Sequence, residues 1–168
     1  MDAVSSATKS LHAGRRQVTL RRAHVADAAT VVDIAFRAYA TISALVPYPS
    51  LTEKDVAAFL TRPNAGAYIA SNDGRAVGTV SFIHDCQVLQ LFRLGVLRSH
   101  RRRGVGEMLV GAVESYAKRR HVAIVFLQTA AELHLVPYYE RLGYQVQGQE
   151  IDNAGGVEIT RIDLFRMI

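Results

Sequence analysis

Residues 93–110 read RLGVLRSHRRRGVGEMLV, and the fold is decided by how this stretch divides. Val88 to Leu97 is β-rich, whereas Val105, Met108, Leu109, Ala112, Val113 and Tyr116 recur at helical spacing as one apolar stripe. A strand is therefore expected to pass directly into a helix beginning at about Gly104. The junction carries Arg101, Arg102 and Arg103, then Gly104 and Gly106. Like charges repel, and glycine weakens a helix by roughly 1 kcal/mol relative to alanine. A segment that breaks two local rules at once marks a candidate functional site. The first amides of a helix lack internal partners, and its dipole puts partial positive charge at that end. Glycines let a ligand approach the backbone, and the arginines add full charges. Together these features describe a phosphate cradle with the anion at a helix N-terminus. The plainer alternative is a solvated basic turn whose glycines merely permit tight packing.

Working outward, the flanking segments alternate strands and helices. VTLRR from Val18 reads as a first strand, and Asp27 to Tyr39 as a helix with Ala28, Val31, Val32, Ala35 and Tyr39 on one face. A loop with Pro47 and Pro49 follows, and Thr52 caps a second helix with Asp55 three residues on. Residues 67–71 and 77–84 flank Asn72-Asp73-Gly74, a hairpin signal. After the cradle helix come a buried strand at 122–128, a short helix near Pro137 to Leu142, and terminal strands at about 144–150 and 158–166. Hairpins followed by strand–helix–strand predict an α/β fold with a mixed sheet. Residues 1–16, small, polar and aperiodic, read as a flexible tail, with one domain over 17–168.

Composition narrows the class. The chain has 168 residues, 49% hydrophobic and 21% charged, the balance of a soluble globular domain. Its longest apolar run, Val122 to Leu127, is too short to span a bilayer, and no signal-peptide core stands out. Cys86 is the single cysteine, which excludes a disulfide framework within the chain and makes a reducing, cytoplasmic setting the expectation. The net charge is +5, with seventeen arginines against three lysines, and arginine suits bidentate phosphate recognition. No Asp or Glu lies between Asp85 and Glu107, an interval holding Arg93, Arg98, Arg101, Arg102 and Arg103. An anionic ligand is expected there.

A P-loop requires Gly-Lys-Ser/Thr, which is absent, and a dinucleotide fingerprint wants Gly or Ala where Leu109 stands. Residues 93–110 instead resemble the acetyl-CoA site of the GNAT N-acetyltransferases. Leu94-Gly95-Val96 resembles that family's strand end, and Arg101 to Gly106 its Arg/Gln-x-x-Gly-x-Gly/Ala signature. A second family segment, aromatic-Tyr-x-x-x-Gly-aromatic, appears as Tyr138-Tyr139-Glu140-Arg141-Leu142-Gly143-Tyr144. Either segment alone is weak; in this order and at this separation they are specific.

The resemblance implies the GNAT fold: a mixed central sheet of about six to seven strands between helices, with two central parallel strands splayed apart. It implies acetyl-CoA as cosubstrate and no metal. Backbone amides around Arg101, Arg102, Arg103, Gly104, Val105 and Gly106 would hold the pyrophosphate. Leu94, Gly95 and Val96 would pair with the pantetheine arm as a neighbouring strand does, with Gly95 suited to a bulge. An N–H in that strand would polarise the thioester carbonyl. Tyr139 stands at the family's general-acid position and would protonate the departing thiolate. The general base stays open among His84, Asp85, Glu132 and His134, and Glu132 departs from the Asn or Gln of many relatives.

The acceptor is expected to be a primary amine, with the apolar loop Tyr39 to Leu51 on its side favouring a small or hydrophobic amine or a peptide N-terminus. A homodimer fits this class, whereas a nucleic-acid or membrane partner does not. Nucleic-acid binding would interleave aromatics with the arginines, and only Phe92 lies nearby. A non-catalytic acyl-CoA sensor and an enzyme using another acyl-CoA remain as rival readings.

Overall fold

A computed structural model describes residues 18–48 and 50–168. The expected tail, residues 1–16, lies outside the described residues. In chain order the elements are β1 (Val18–Arg22), α1 (Ala28–Tyr39), α2 (Glu53–Leu60), β2 (Ala65–Asn72), β3 (Arg75–Asp85) and β4 (Val88–Val96), then α3 (Val105–Arg119), β5 (Ile124–Ala130), α4 (Val136–Arg141), β6 (Gln145–Ala154) and β7 (Val157–Met167). Seven strands form one sheet in the order β1-β2-β3-β4-β5-β7-β6. Only β4 and β5 run parallel, joined by α3 as the crossover.

Local chemistry explains the element ends. The β2–β3 turn places Asp73 and Gly74 at φ 50° and 77°, the left-handed pair a two-residue hairpin needs for its twist to match the strands. Thr52 Oγ1 accepts from Asp55 N–H at 3.1 Å, and Asp55 Oδ2 accepts from Thr52 N–H at 3.2 Å, a reciprocal cap that starts α2.

The sheet carries helices on both faces. Ala67 and Ile69 of β2 pack with Val31 of α1 and Val56 of α2, whereas Ala70, Val80 and Phe82 pack with Val105, Leu109 and Val113 of α3. Successive strand residues point to opposite faces, so β2 feeds both cores, Ala67 and Ile69 on one side and Ala70 on the other. Two stripes are rotated from their expected lines. In α1 the buried residues are Ala28, Val31, Ile34, Ala35 and Ala38, while Val32 and Tyr39 are only partly covered. In α3 Val110 and Ala117 are buried, and Met108 and Ala112 lie half-covered at the margin. The strand does not run straight into α3 either: a 3-10 turn at Arg98–His100 and a short turn intervene.

Candidate active site

The central pair β4–β5 holds together only over Val88–Leu91 against Ile124–Leu127. Beyond Leu91 each strand keeps its outer partner: Gly95 and Val96 stay opposite Thr79 and Gly78 of β3, while Gln128 to Ala130 stay opposite Asp163 to Arg161 of β7. The strands therefore splay, opening a wedge in the middle of the sheet that is closed by neither strand. A bulge in β4 falls just beyond the point where the strands part. Thr79 faces Gly95 but Ser81 faces Phe92, so one extra residue is accommodated between, and Arg93 takes φ 52°. The bulge falls at Arg93 and Leu94, not at Gly95 as expected. Gly95 serves another need: a Cβ there would come within 3.0 Å of Ala38 Cβ, so the glycine lets α1 approach the sheet.

The polarity of the wedge follows from strand geometry. Leu97 N–H donates to Val77 O on β3 at 2.9 Å, and backbone groups alternate sides along a strand. Leu94 and Val96 consequently turn their N–H and C=O groups toward the wedge. Both carbonyls already have partners: Tyr39 Oη donates to Leu94 O at 2.8 Å, and Arg101 Nε donates to Val96 O at 3.0 Å. The edge left to a ligand is thus rich in donors, although each carbonyl keeps a second lone pair.

At the mouth of the wedge α3 begins on Gly104, at φ 78°, with Arg102 at φ 59°. The first helical bond runs from Met108 N–H to Gly104 O at 3.0 Å, leaving the amides of Val105, Gly106 and Glu107 without helical partners. Nothing lies within 4 Å of the Cβ that Gly104 lacks, so that side of the turn is open to a ligand. Gly106 differs: its missing Cβ would sit 2.7 Å from the hydroxyl of Tyr138, which already fills the space. Arg102 and Arg103 are exposed at the mouth. Arg101 is not free in the same way, because its guanidinium turns inward to Val96 O, Ala38 O and Thr41 Oγ1. Its guanidinium is engaged by these three acceptors instead of facing the mouth.

The tyrosines of α4 lie close by, Tyr138 against the start of α3 and Tyr139 within electrostatic reach of Tyr39. Tyr139 is 6% exposed and packs edge-on against Tyr138 and Tyr144, with ring centroids 5.1 and 6.0 Å away. Burial raises its phenol well above the ordinary value, with Tyr138 adding to the shift, so it stays protonated throughout the neutral range. Burial also pushes Tyr138 up to about 12, with Glu107 adding, and its buried hydroxyl has no hydrogen-bond partner. Tyr39 is likewise held unionised, chiefly by burial and then by Tyr48 and Tyr139. Its ring stacks on Tyr48 at 4.2 Å, so the loop after α1 reaches the wedge as an aromatic wall. The hydroxyl role of Tyr39 had no signal in the sequence, because the contact to Leu94 spans 55 residues.

The four candidate bases separate. His84 and Asp85 pair with Leu89 and Val88, at the closed end of the β4–β5 pair, and the structure removes them from the wedge. Glu132 follows β5 at the open end, where its Oε1 accepts from Thr160 N–H at 2.9 Å and its Oε2 has no partner. That hydrogen bond lowers its pKa, which keeps it ionised. His134, at φ 52°, is exposed nearby. Among the described residues no cluster of side chains could hold a metal ion, and no helix is long and apolar enough to cross a membrane.

The chain thus has a seven-stranded mixed sheet whose one parallel pair, β4 and β5, parts beside a glycine-started helix. The family described as Acetyltransferase (GNAT) family matches residues 30–144, and the chain belongs to that family. N-acetyltransferase 8 of Rattus norvegicus is 31% identical over 98 residues, which cover 54% of this chain and 44% of that protein. The chain thus spans less than half the length of that curated relative. Among solved structures, the ribosomal-protein-S18-alanine N-acetyltransferase of Escherichia coli superposes with a TM-score of 0.75 at 17% identity, covering 90% of this chain and 94% of its own. An aminoglycoside 6'-N-acetyltransferase complexed with coenzyme A gives 0.72 at 18% identity, covering 88% and 96%. These likenesses bear out the expected fold, and the splay of the parallel pair is seen in the register of β4 and β5.

Proposed function

We propose that this protein transfers the acetyl group of acetyl-CoA directly to a primary amine of a small molecule or a peptide. The observation that carries this reading is the release of β4 from β5 after Leu91, which leaves a strand edge with free amides leading to an open helix start. Pantetheine contains amides, so it pairs with the edge at Leu94, Gly95 and Val96 as an added strand would. The pyrophosphate lies at the amides of Val105 and Gly106 and against the turn Arg101 to Gly104, where the helix dipole and the guanidinium groups of Arg102 and Arg103 favour negative charge. The family uses acetyl-CoA, and a solved neighbour of the same fold is complexed with coenzyme A.

The chemistry needs a neutral amine, a stabilised oxyanion and a proton for the thiolate. The N–H groups of Leu94 and Val96 point into the wedge and supply the oxyanion contact. As the amine attacks the thioester carbon, the tetrahedral oxyanion forms; its collapse breaks the carbon–sulfur bond, and Tyr139 gives its phenolic proton to the departing sulfur. A phenol held protonated by burial is suited to this, because it does not lose the proton beforehand. Glu132, ionised and at the open end of the wedge, is the carboxylate best placed to receive the amine proton through water.

The inward turn of the Arg101 guanidinium, and of Arg93 over the Phe92 and Phe59 rings at 5.1 and 6.0 Å, weakens the rival reading of a nucleic-acid clamp. Calorimetry with acetyl-CoA and a thiol-release assay over an amine panel test the proposal. Tyr139→Phe should keep CoA affinity and lower kcat by roughly 10²–10⁴-fold. Unchanged kcat would remove Tyr139 from the mechanism, and a loss in KM alone would reduce it to a binding group. CoA binding without any turnover over the panel would favour the sensor reading.

A further inference from the structure

Arg101 joins three elements that are distant in sequence. Its backbone is the first residue of the proposed cradle. Its Nε donates to Val96 O at 3.0 Å, at the end of β4, and its Nη2 donates to Ala38 O at 2.7 Å and Thr41 Oγ1 at 3.2 Å. Ala38 lies in the last turn of α1, where carbonyls lose their helical partners, and Thr41 lies in the loop that leads from α1 across the acceptor side. One guanidinium is therefore shared between the cofactor strand and the start of the acceptor loop.

Beyond the stack of Tyr39 on Tyr48, the loop buries few side chains. Ala40, Thr41, Ser43, Ala44 and Leu45 are exposed or only partly covered, and Leu45 is an exposed large apolar side chain. Its order rests on a run of turn bonds: Ile42 N–H and Ser43 N–H to Tyr39 O, and Leu45 N–H and Val46 N–H to Ile42 O. Those bonds continue directly from the α1 terminus that Arg101 grips. Tyr39, the acceptor of the first two, is also bonded through its hydroxyl to Leu94.

We infer that Arg101 is a positioning residue that couples the two substrates of the proposed transferase: a ligand settling on the cradle fixes the Arg101 backbone, and through its side chain orders residues 39–46 into the acceptor wall. The inference rests on the acetyl-CoA reading of the cradle. By linkage, whatever orders the loop must tighten the cradle by the same factor. A planar guanidinium suits the task and a lysine does not, since three acceptors in different directions need a fork of donors.

The test is hydrogen exchange of residues 39–46 with and without coenzyme A, alongside calorimetry of the same proteins. In the parent, coenzyme A should slow exchange of the Ile42, Ser43, Leu45 and Val46 amides by roughly tenfold, the scale of one charge-assisted hydrogen bond. Arg101→Met, which keeps the stem and removes every donor, should abolish this slowing, and Arg101→Lys should restore only part of it. Thr41→Val leaves the cradle and the Val96 bond untouched, and should lessen the slowing while coenzyme A still binds. Failure of the parent to bind coenzyme A would sink the cradle reading together with this inference. Normal binding with no slowing, or with equal slowing in Arg101→Met, would sink the coupling alone.

Discussion

Gly106 and Tyr138 give a double-mutant cycle whose magnitude follows from one distance. A Cβ on Gly106 would lie 2.7 Å from Tyr138 Oη, well inside contact, but 3.6 Å from Tyr138 Cζ, an ordinary van der Waals separation. The obstruction is therefore a single oxygen. In the parent, Gly106→Ala must displace the Tyr138 ring, an overpacking cost of about 1–2 kcal/mol that outweighs the helix preference of alanine. In a Tyr138→Phe background the oxygen is gone, and the same substitution should be neutral or stabilising by about 0.5–1 kcal/mol, since alanine replaces glycine in a helix. Tyr138→Phe alone should not destabilise, because the hydroxyl it removes is buried without a partner. The coupling between the two sites is thus expected at about 2 kcal/mol, read from urea unfolding of the four proteins at constant m-value. Equal costs for Gly106→Ala in both backgrounds would refute the steric argument. Calorimetry with coenzyme A on the double variant then separates two demands on the glycine: intact affinity means that Tyr138 requires it, and lost affinity means that the ligand does.

Other outcomes follow from the same geometry. Gly104→Ala meets no neighbour, so its whole cost is the left-handed φ of 78°, about 1–2 kcal/mol of stability, and no change in unfolding midpoint would contradict that conformation. Tyr39, Tyr139 and Tyr144 have phenols raised by burial, so the folded chain keeps protons that the unfolded chain releases. Stability is then fully present below the unfolded tyrosine value of about 10 and falls as pH rises beyond it. Denaturant midpoints taken on either side of that value should fall on the alkaline side, and less so in Tyr139→Phe; a flat profile would contradict the burial of these phenols.

What the sequence by itself determined are the features set within a few residues. The Asp73-Gly74 turn, the Thr52–Asp55 cap and the start of α3 at Gly104 each depend on contacts no further than one helical turn or one tight hairpin, so their residue types suffice. The paired motifs at 101–106 and 138–144 likewise pointed to the right family, because a helix start and a short aromatic helix carry their chemistry locally.

Tertiary structure decided what side chains do once distant elements meet. The bulge lies at Arg93 and Leu94, and Gly95 instead admits the close approach of Ala38. The buried stripe of α3 rotated toward Val110 and Ala117 because the crossing of helix over sheet, not the helix period alone, sets which side is covered. His84 and Asp85 left the candidate bases because β4 and β5 part at Leu91, which puts those residues at the wrong end. Arg101 reads in sequence as one more positive charge, yet its guanidinium is spent on Ala38, 63 residues away. A partner that far along the chain is chosen by the packing of α1 on the sheet, and no local pattern of residues encodes it.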